Sequence, residues 1–231
     1  MRGVGHASVY RQLGPIALVG LLALTACAAD KPTALDPSGP VRTIETSTTT
    51  STRCEVDDGT AAALEPLLTE NVPVGYEPAP DAAEDTGPTD LRLAAFFVGV
   101  PDERAVLSGL GFRRGYQRLW YGPDSGDGDL IVHLYEFCDA HGATGYLRYT
   151  RERLLSPLWG FVEIAAGIAE PGVALLQEGG AGAESFVAVL GVHGRFYVEI
   201  GAYGGPPRES LDSVLTRAGR LSAVQLAELP E

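Results

Sequence analysis

Residues 186–202 read FVAVLGVHGRFYVEIGA, and this stretch decides the fold. Two runs rich in valine and aromatic residues flank His193-Gly194, where a glycine in a two-residue loop supplies the positive φ that a tight hairpin needs. Counting outward from this loop pairs residues 191, 189 and 187 with 196, 198 and 200. That set is wholly apolar, so it predicts the core face of the hairpin. Tyr197 and Glu199 fall on the other face.

The segments around this hairpin predict more strands and several helices. Apolar residues recur at helical spacing from 211 to 224 after Ser210, a residue type that often caps helices, so a helix is expected to lie across the sheet. Residues 115–121 and 130–137 form a second predicted hairpin, followed by a helix that Asp139 caps and that runs to about residue 155. Short helices are expected at residues 58–68 and after Pro101.

This order of elements predicts an α+β fold. Runs of antiparallel strands with helices inserted and appended favour a two-layer domain, in which a mainly antiparallel sheet carries its helices on one face. The alternative is a sandwich with helices on both faces.

The first residues have the parts of a secretory signal peptide. Arg2 and Arg11 precede an apolar run at residues 16–23, and the sequence Leu24-Thr25-Ala26-Cys27 follows. The apolar run is too short for a membrane-spanning helix, which needs about 20 residues. Leu24 to Cys27 resembles the lipobox of bacterial lipoproteins, which implies a lipid on the thiol of Cys27 and cleavage before it. The alternative is an ordinary signal peptide with an incidental cysteine.

Three regions follow from this interpretation: a signal peptide at residues 1–26, a tether at 27–53 and one α+β domain at 54–231. The tether is rich in proline, serine and threonine and cannot form a core. Its reach is about 25 to 30 Å if it is flexible. With its lipobox and threonine-rich tether, the chain resembles the small surface lipoproteins of actinobacteria. The resemblance implies a lipid-anchored protein on the outer face of the cell membrane.

The charge of the mature chain argues against polyanionic partners. Without residues 1–26 the chain has 15 basic and 30 acidic residues, a net charge of −15. Such a charge repels nucleic acid and anionic lipid. We therefore expect no nucleic acid among its partners, and membrane contact only through the lipid on Cys27.

Sequence motifs for catalysis and metal binding are absent. The chain has no GxSxG, P-loop, HExxH or paired-cysteine motif, which disfavours a serine or metal hydrolase. His141 and His193 are interpreted as a solvated helix end and a turn residue, and no metal or cofactor is predicted. The loop with Asp124, Asp127 and Asp129 departs from the EF-hand spacing, so it is interpreted as a plain acidic loop rather than a calcium site.

The most suggestive surface is the sheet face left after the core face has been assigned. It combines aromatic rings with polar groups, as small-molecule and protein-contact surfaces do. The alternative is that helices or residues 71–87 cover it. The predicted ligand or partner face consists of Arg118, Trp120, His133, Tyr135, Tyr197 and Glu199.

Two functions are compatible with these features. The first is a binding or interaction module of the cell envelope, with a small amphipathic ligand or an envelope protein as its partner. The second is an envelope enzyme whose site is assembled from scattered residues. A cavity lined by rings of the predicted face favours the first, whereas His133 bonded to a buried acid beside a nucleophile favours the second.

Cys54 and Cys138 are predicted to form one disulfide. Lipidation uses Cys27, which leaves two cysteines in an exported chain that meets oxidising conditions. The bond would attach the start of the domain to the end of a strand. The alternative makes Cys138 a buried thiol and Cys54 an exposed one that pairs between molecules.

Overall fold

The computed structural model describes residues 58–80, 86–123, 128–165, 168, 172–179, 184–205 and 209–231. The signal peptide, the tether, Cys27 and Cys54 lie outside the described residues, as do Asp124 and Asp127. The strands are β1 (Glu77–Pro78), β2 (Gly87–Thr89), β3 (Phe112–Tyr121), β4 (Leu130–Phe137), β5 (Val162–Ile164), β6 (Gly172–Gln177), β7 (Ser185–His193) and β8 (Phe196–Gly204). The helices are a 3₁₀ helix (Asp58–Leu67), α1 (Leu91–Val98), α2 (Glu103–Gly109), α3 (Ala140–Leu154) and α4 (Leu211–Ala227).

The strands form one eight-stranded antiparallel sheet. Its order is β1-β3-β4-β8-β7-β6-β5, and β2 also pairs with β3. Both predicted hairpins are present, because β3 pairs with β4 and β7 pairs with β8. The α+β class and the mainly antiparallel sheet are therefore confirmed.

The β7–β8 hairpin turns one residue later than predicted. Its loop is Gly194-Arg195, and Gly194 has a φ of 53°. Val189 consequently pairs with Ile200 rather than with Val198, a shift of two positions. Side chains alternate between faces with a period of two, so this shift leaves the predicted core face unchanged.

Helices cover both faces of the sheet, which is the alternative arrangement rather than the predicted one. The first face, here called the α4 face, packs against the 3₁₀ helix and α4, with Leu64, Val198, Val214 and Leu221 in its core. The second, here called the α3 face, packs against α1, α2 and α3. Its core consists mainly of Ala94, Leu107, Phe112, Tyr135, Phe137, Ala143, Tyr146, Leu190 and Tyr197.

Side-chain caps fix where three of the helices begin. Asp139 and Ser210 accept hydrogen bonds from the backbone of Gly142 and Ser213, as expected for α3 and α4. Asp90 caps α1 in the same way. Each fully buried valine or leucine that α4 then places on the sheet contributes about 1.5–3 kcal/mol. Packing against the sheet, more than helix propensity, therefore holds α4 in place.

Candidate functional site

The six residues of the predicted ligand face lie on two opposite faces of the sheet. Arg118 and Trp120 pair with Val132 and Leu130 of β4, on the α4 face. The other four residues are odd-numbered positions of β4 and β8, and they lie on the α3 face. The six residues therefore do not form one surface, because β3, after its bulge near Phe112, presents its even-numbered residues to the face opposite His133.

The aromatic residues of the α3 face are covered. Helix α3 inserts Tyr146, whose ring centroid lies 4.8 Å from that of Tyr197 and 5.8 Å from that of Tyr135. All three side chains are buried. The structure therefore supports the alternative in which helices cover this sheet face, and these rings belong to the core.

A buried polar network joins α2 to α3 on this side of the sheet. Glu103, which is 0% exposed, accepts hydrogen bonds from the phenol of Tyr146 at 2.6 Å and from the guanidinium of Arg153 at 2.7 Å. The ring faces of Tyr149 and Trp159 lie 5.6 and 5.8 Å from the Arg153 guanidinium carbon. Aromatic faces attract such a cation. The network therefore combines an ion pair, a phenol and two rings around one guanidinium.

The charge states of this network suit a structural role. Burial lowers the pKa of Arg153, but the surrounding phenols and carboxylates outweigh burial and raise it. Burial raises the pKa of Tyr146 well above its ordinary value, and Glu103 acts in the same direction. The guanidinium therefore stays charged and the phenol stays neutral. Neither group is prepared to exchange a proton near neutral pH.

Tyr197, Glu199 and His133 form the neighbouring polar group. The phenol of Tyr197 donates a hydrogen bond of 2.8 Å to Glu199, and burial raises the pKa of Tyr197 well above its ordinary value. His133 is the direct cross-strand partner of Glu199. Glu103, a fully buried carboxylate of this face, is bonded to a phenol and a guanidinium.

A groove lies on the other side of the molecule, between residues 71–74 and α4. Its volume is about 850 Å³. The lining comprises Asn71, Val72, Pro73, Val74, Ser210, Asp212, Ser213, Thr216, Arg217, Arg220, Leu221 and Val224. The valines, the proline and Leu221 give it an apolar part, while the hydroxyl and charged residues of α4 give it a polar part. Sequence reasoning missed this groove because it joins segments about 140 positions apart.

Arg217 is held rigidly at the groove. Its guanidinium makes two hydrogen bonds to Glu209, at 2.7 and 2.9 Å, and a third to the carbonyl oxygen of Tyr203. Burial raises the pKa of Glu209, but its hydrogen bonds to Arg217 and the charge of Arg217 outweigh burial, and the net shift is downward. This pair is therefore neutral overall, and the exposed Arg220 is the other cation of the lining.

Metal binding and membrane crossing find no support in the described part of the chain. Among those residues, no three histidine, cysteine or acidic side chains group as metal ligands. His141 is exposed at the start of α3, and His193 ends β7. No helix of the described ranges combines the length and apolar character needed to span a bilayer.

Comparison with known proteins gives one structural neighbour. No family model matches the chain, and no curated protein matches it. The chain is similar to the crystal structure of the extracellular domain of PknH from Mycobacterium tuberculosis, with 12% sequence identity and a TM-score of 0.48. The similarity covers 75% of this chain and 98% of that chain.

Proposed function

We propose that this chain is an extracytoplasmic, lipid-anchored binding module, and that the groove beside α4 holds a small amphipathic ligand. The observation that supports the proposal is the groove itself. Its volume of about 850 Å³ falls within the range of about 300–1,000 Å³ that is usual for small-molecule sites. Its lining has the apolar and polar parts that such a ligand needs.

The two parts of the lining suggest how the ligand is oriented. Val72, Pro73 and Val224 offer contacts to an apolar group, whose burial contributes about 25 cal/mol per Å². Ser213 and Thr216 offer hydroxyls along the exposed side of α4. Arg220 and Asp212 add one positive and one negative charge there, which favours a ligand with a strongly polar end.

Filling the groove tests this proposal. The probe is anilinonaphthalene sulfonate, an amphipathic anion whose fluorescence rises in apolar surroundings. We expect Thr216→Trp to weaken probe binding about tenfold or more, because the new ring occupies the groove. Ala223→Trp is the matched control, since residue 223 is exposed on the same helix but does not line the groove. Equal binding by both variants and the wild type would contradict the proposal.

The membrane anchor is tested separately, at Cys27. Leu24-Thr25-Ala26-Cys27 supports lipidation, and the acyl chains would hold the protein because each buried methylene contributes about 0.8 kcal/mol. We expect Cys27→Ala to abolish both metabolic labelling with fatty acid and retention in the membrane fraction. A wild-type protein that is cleaved elsewhere and carries no acyl group would refute the anchor.

A further inference from the structure

The groove beside α4 is long and narrow. Its lining residues on α4 run from Ser210 to Val224, a distance of about 21 Å at the helical rise of about 1.5 Å per residue. A volume of about 850 Å³ spread over this length gives a mean cross-section of about 40 Å², or a width of about 7 Å. An α-helix, with a diameter of about 10–12 Å, is too wide for it. The groove therefore suits an extended chain.

Two contacts show how the walls of the groove are aligned. The side chain of Asn71 donates a hydrogen bond of 3.3 Å to Glu228, which follows the C-terminal end of α4. Further along the same segment, the ring of Tyr76 lies 5.9 Å from the guanidinium carbon of Arg217. The segment therefore runs antiparallel to α4. Its wall residues Val72, Pro73 and Val74 consequently stand opposite the part of α4 that follows Arg217.

The lining changes in character along α4. From Leu221 onward the lining side chains of α4 are aliphatic, and Leu221 belongs to the core of the α4 face, against which Val72 also packs. Arg220 and Asp212 carry one charge of each sign, and Arg217 is paired with Glu209. A ligand that fits both ends has an aliphatic part and a polar part without a net charge. The polar lining residues are Ser210, Asp212, Ser213, Thr216, Arg217 and Arg220.

Residues 71–73 have no backbone N–H left for a peptide ligand. The amide of Asn71 donates to the hydroxyl of Thr69 at 3.1 Å. The amide of Val72 donates to the carbonyl oxygen of Glu70 at 2.9 Å, and Pro73 has no N–H. Beyond the first turn of α4, its N–H groups are bonded within the helix. A peptide would bury carbonyl groups here without donors, which costs free energy, whereas a hydrocarbon chain has no such groups.

We propose that the groove binds a single-chain amphiphile, which is a lipid with one linear aliphatic chain and a polar head of no net charge. The inference rests on the proposed function and adds the chemical class of the ligand. The aliphatic chain lies between Val72 and Val224, and the head lies toward Ser210. Two chains side by side need about 8 Å, because carbon atoms in contact are about 3.5–4.0 Å apart. A groove about 7 Å wide therefore holds one chain.

Displacement of anilinonaphthalene sulfonate by lysophosphatidylcholines tests the ligand class. These lipids have one acyl chain and a zwitterionic head, and a series with progressively longer chains is used below micelle formation. We expect the affinity to rise about two- to fourfold with each methylene until the chain fills the groove, since complete burial of a methylene corresponds to about fourfold. The matched control is a two-chain phosphatidylcholine with the same total number of acyl carbons, which should bind at least tenfold more weakly. An affinity independent of chain length, or equal displacement by the two-chain lipid, would overturn the proposal.

Two variants of α4 test where the aliphatic chain lies. Val224→Asn places a polar amide at the aliphatic end, so it should abolish most of the gain in affinity per methylene. Ala227→Asn is the matched control, since residue 227 is exposed on the same helix but does not line the groove. An equal gain per methylene in both variants would contradict this placement of the chain.

Thr216→Trp separates a failure of this inference from a failure of the proposed function. If Thr216→Trp weakens binding of the fluorescent probe but no lysophosphatidylcholine displaces the probe from the wild type, the groove is a site for another ligand, and only the lipid class is wrong. If Thr216→Trp and the wild type bind the probe equally, the groove is not a site and both proposals fail. Displacement from the wild type that Thr216→Trp weakens at least tenfold would support both.

Discussion

Replacing Glu103 by glutamine tests the buried network between α2 and α3. Glu103 accepts hydrogen bonds from Tyr146 and Arg153, and the side chain of Arg153 is only 11% exposed. The substitution keeps the shape of residue 103 but removes its charge. Arg153 cannot compensate by losing its proton, because an arginine stays protonated in proteins.

We expect a loss of about 3 kcal/mol in the free energy of unfolding. Removing one partner of a buried ion pair usually costs about 3–5 kcal/mol, because the other charge stays buried and uncompensated. We expect the lower end of this range of cost, because the amide oxygen of glutamine can still accept one of the two hydrogen bonds. A domain with a total stability of about 5–15 kcal/mol would show this loss clearly.

The assay is urea unfolding, with Glu163→Gln as the matched control. Glu163 pairs with Arg151, two positions from Arg153 on the same helix, but both side chains of this pair are 42% exposed. An exposed pair contributes about 0–1 kcal/mol. The double variant Glu103→Gln/Arg153→Met should cost less than the sum of its single variants, because it leaves no unpaired charge behind. Equal losses for Glu103→Gln and Glu163→Gln would refute the reasoning.

Four further predictions concern other parts of the domain. Val198→Asp should cost several kcal/mol in thermal or urea unfolding, because Val198 is fully buried on the α4 face. Glu199→Ala should cost about 1–3 kcal/mol, because the buried phenol of Tyr197 loses the carboxylate to which it donates. A loss as large as that of Val198→Asp would contradict both assignments. Peptide mapping of the unreduced mature protein should find Cys54 linked to Cys138, and alkylation of both as separate peptides would exclude the bond. The pairing with Arg217 lowers the pKa of Glu209, so it stabilises the fold above the ordinary glutamate pKa of about 4.3. This stabilisation is lost as the pH falls through the lowered pKa of the folded protein. The difference in stability between the wild type and Glu209→Gln should therefore shrink in acid, and a difference that grows would contradict the pairing.

The hairpin at residues 186–202 shows what local sequence determines. The two strands and the core face follow from alternation, which needs no knowledge of distant residues. The position of the loop cannot be derived in the same way, because glycine suits either central position of a two-residue turn. It suits the first position in type II′ and both positions in type I′. Gly194 takes the first position, so the turn lies one residue beyond His193-Gly194.

The elements that were missed have a different cause. Helix α1 is an apolar run of only eight residues, and such a short run cannot be told from a buried strand by its periodicity. Strand β6 is a short buried run, and periodicity cannot distinguish such a run from a piece of helix. Their placement is decided by the sheet and the helices around them.

The six residues of the predicted ligand face lie on two faces because the sequence does not show how the alternation of β3 is aligned with that of β4. Alternation groups Arg118 with Trp120, and His133 with Tyr135, but it does not say whether the two groups share a face. That depends on the register between β3 and β4, and β3 contains a bulge near its start. The pairing of Glu103 with Arg153 is equally hidden, since the two residues are 50 positions apart.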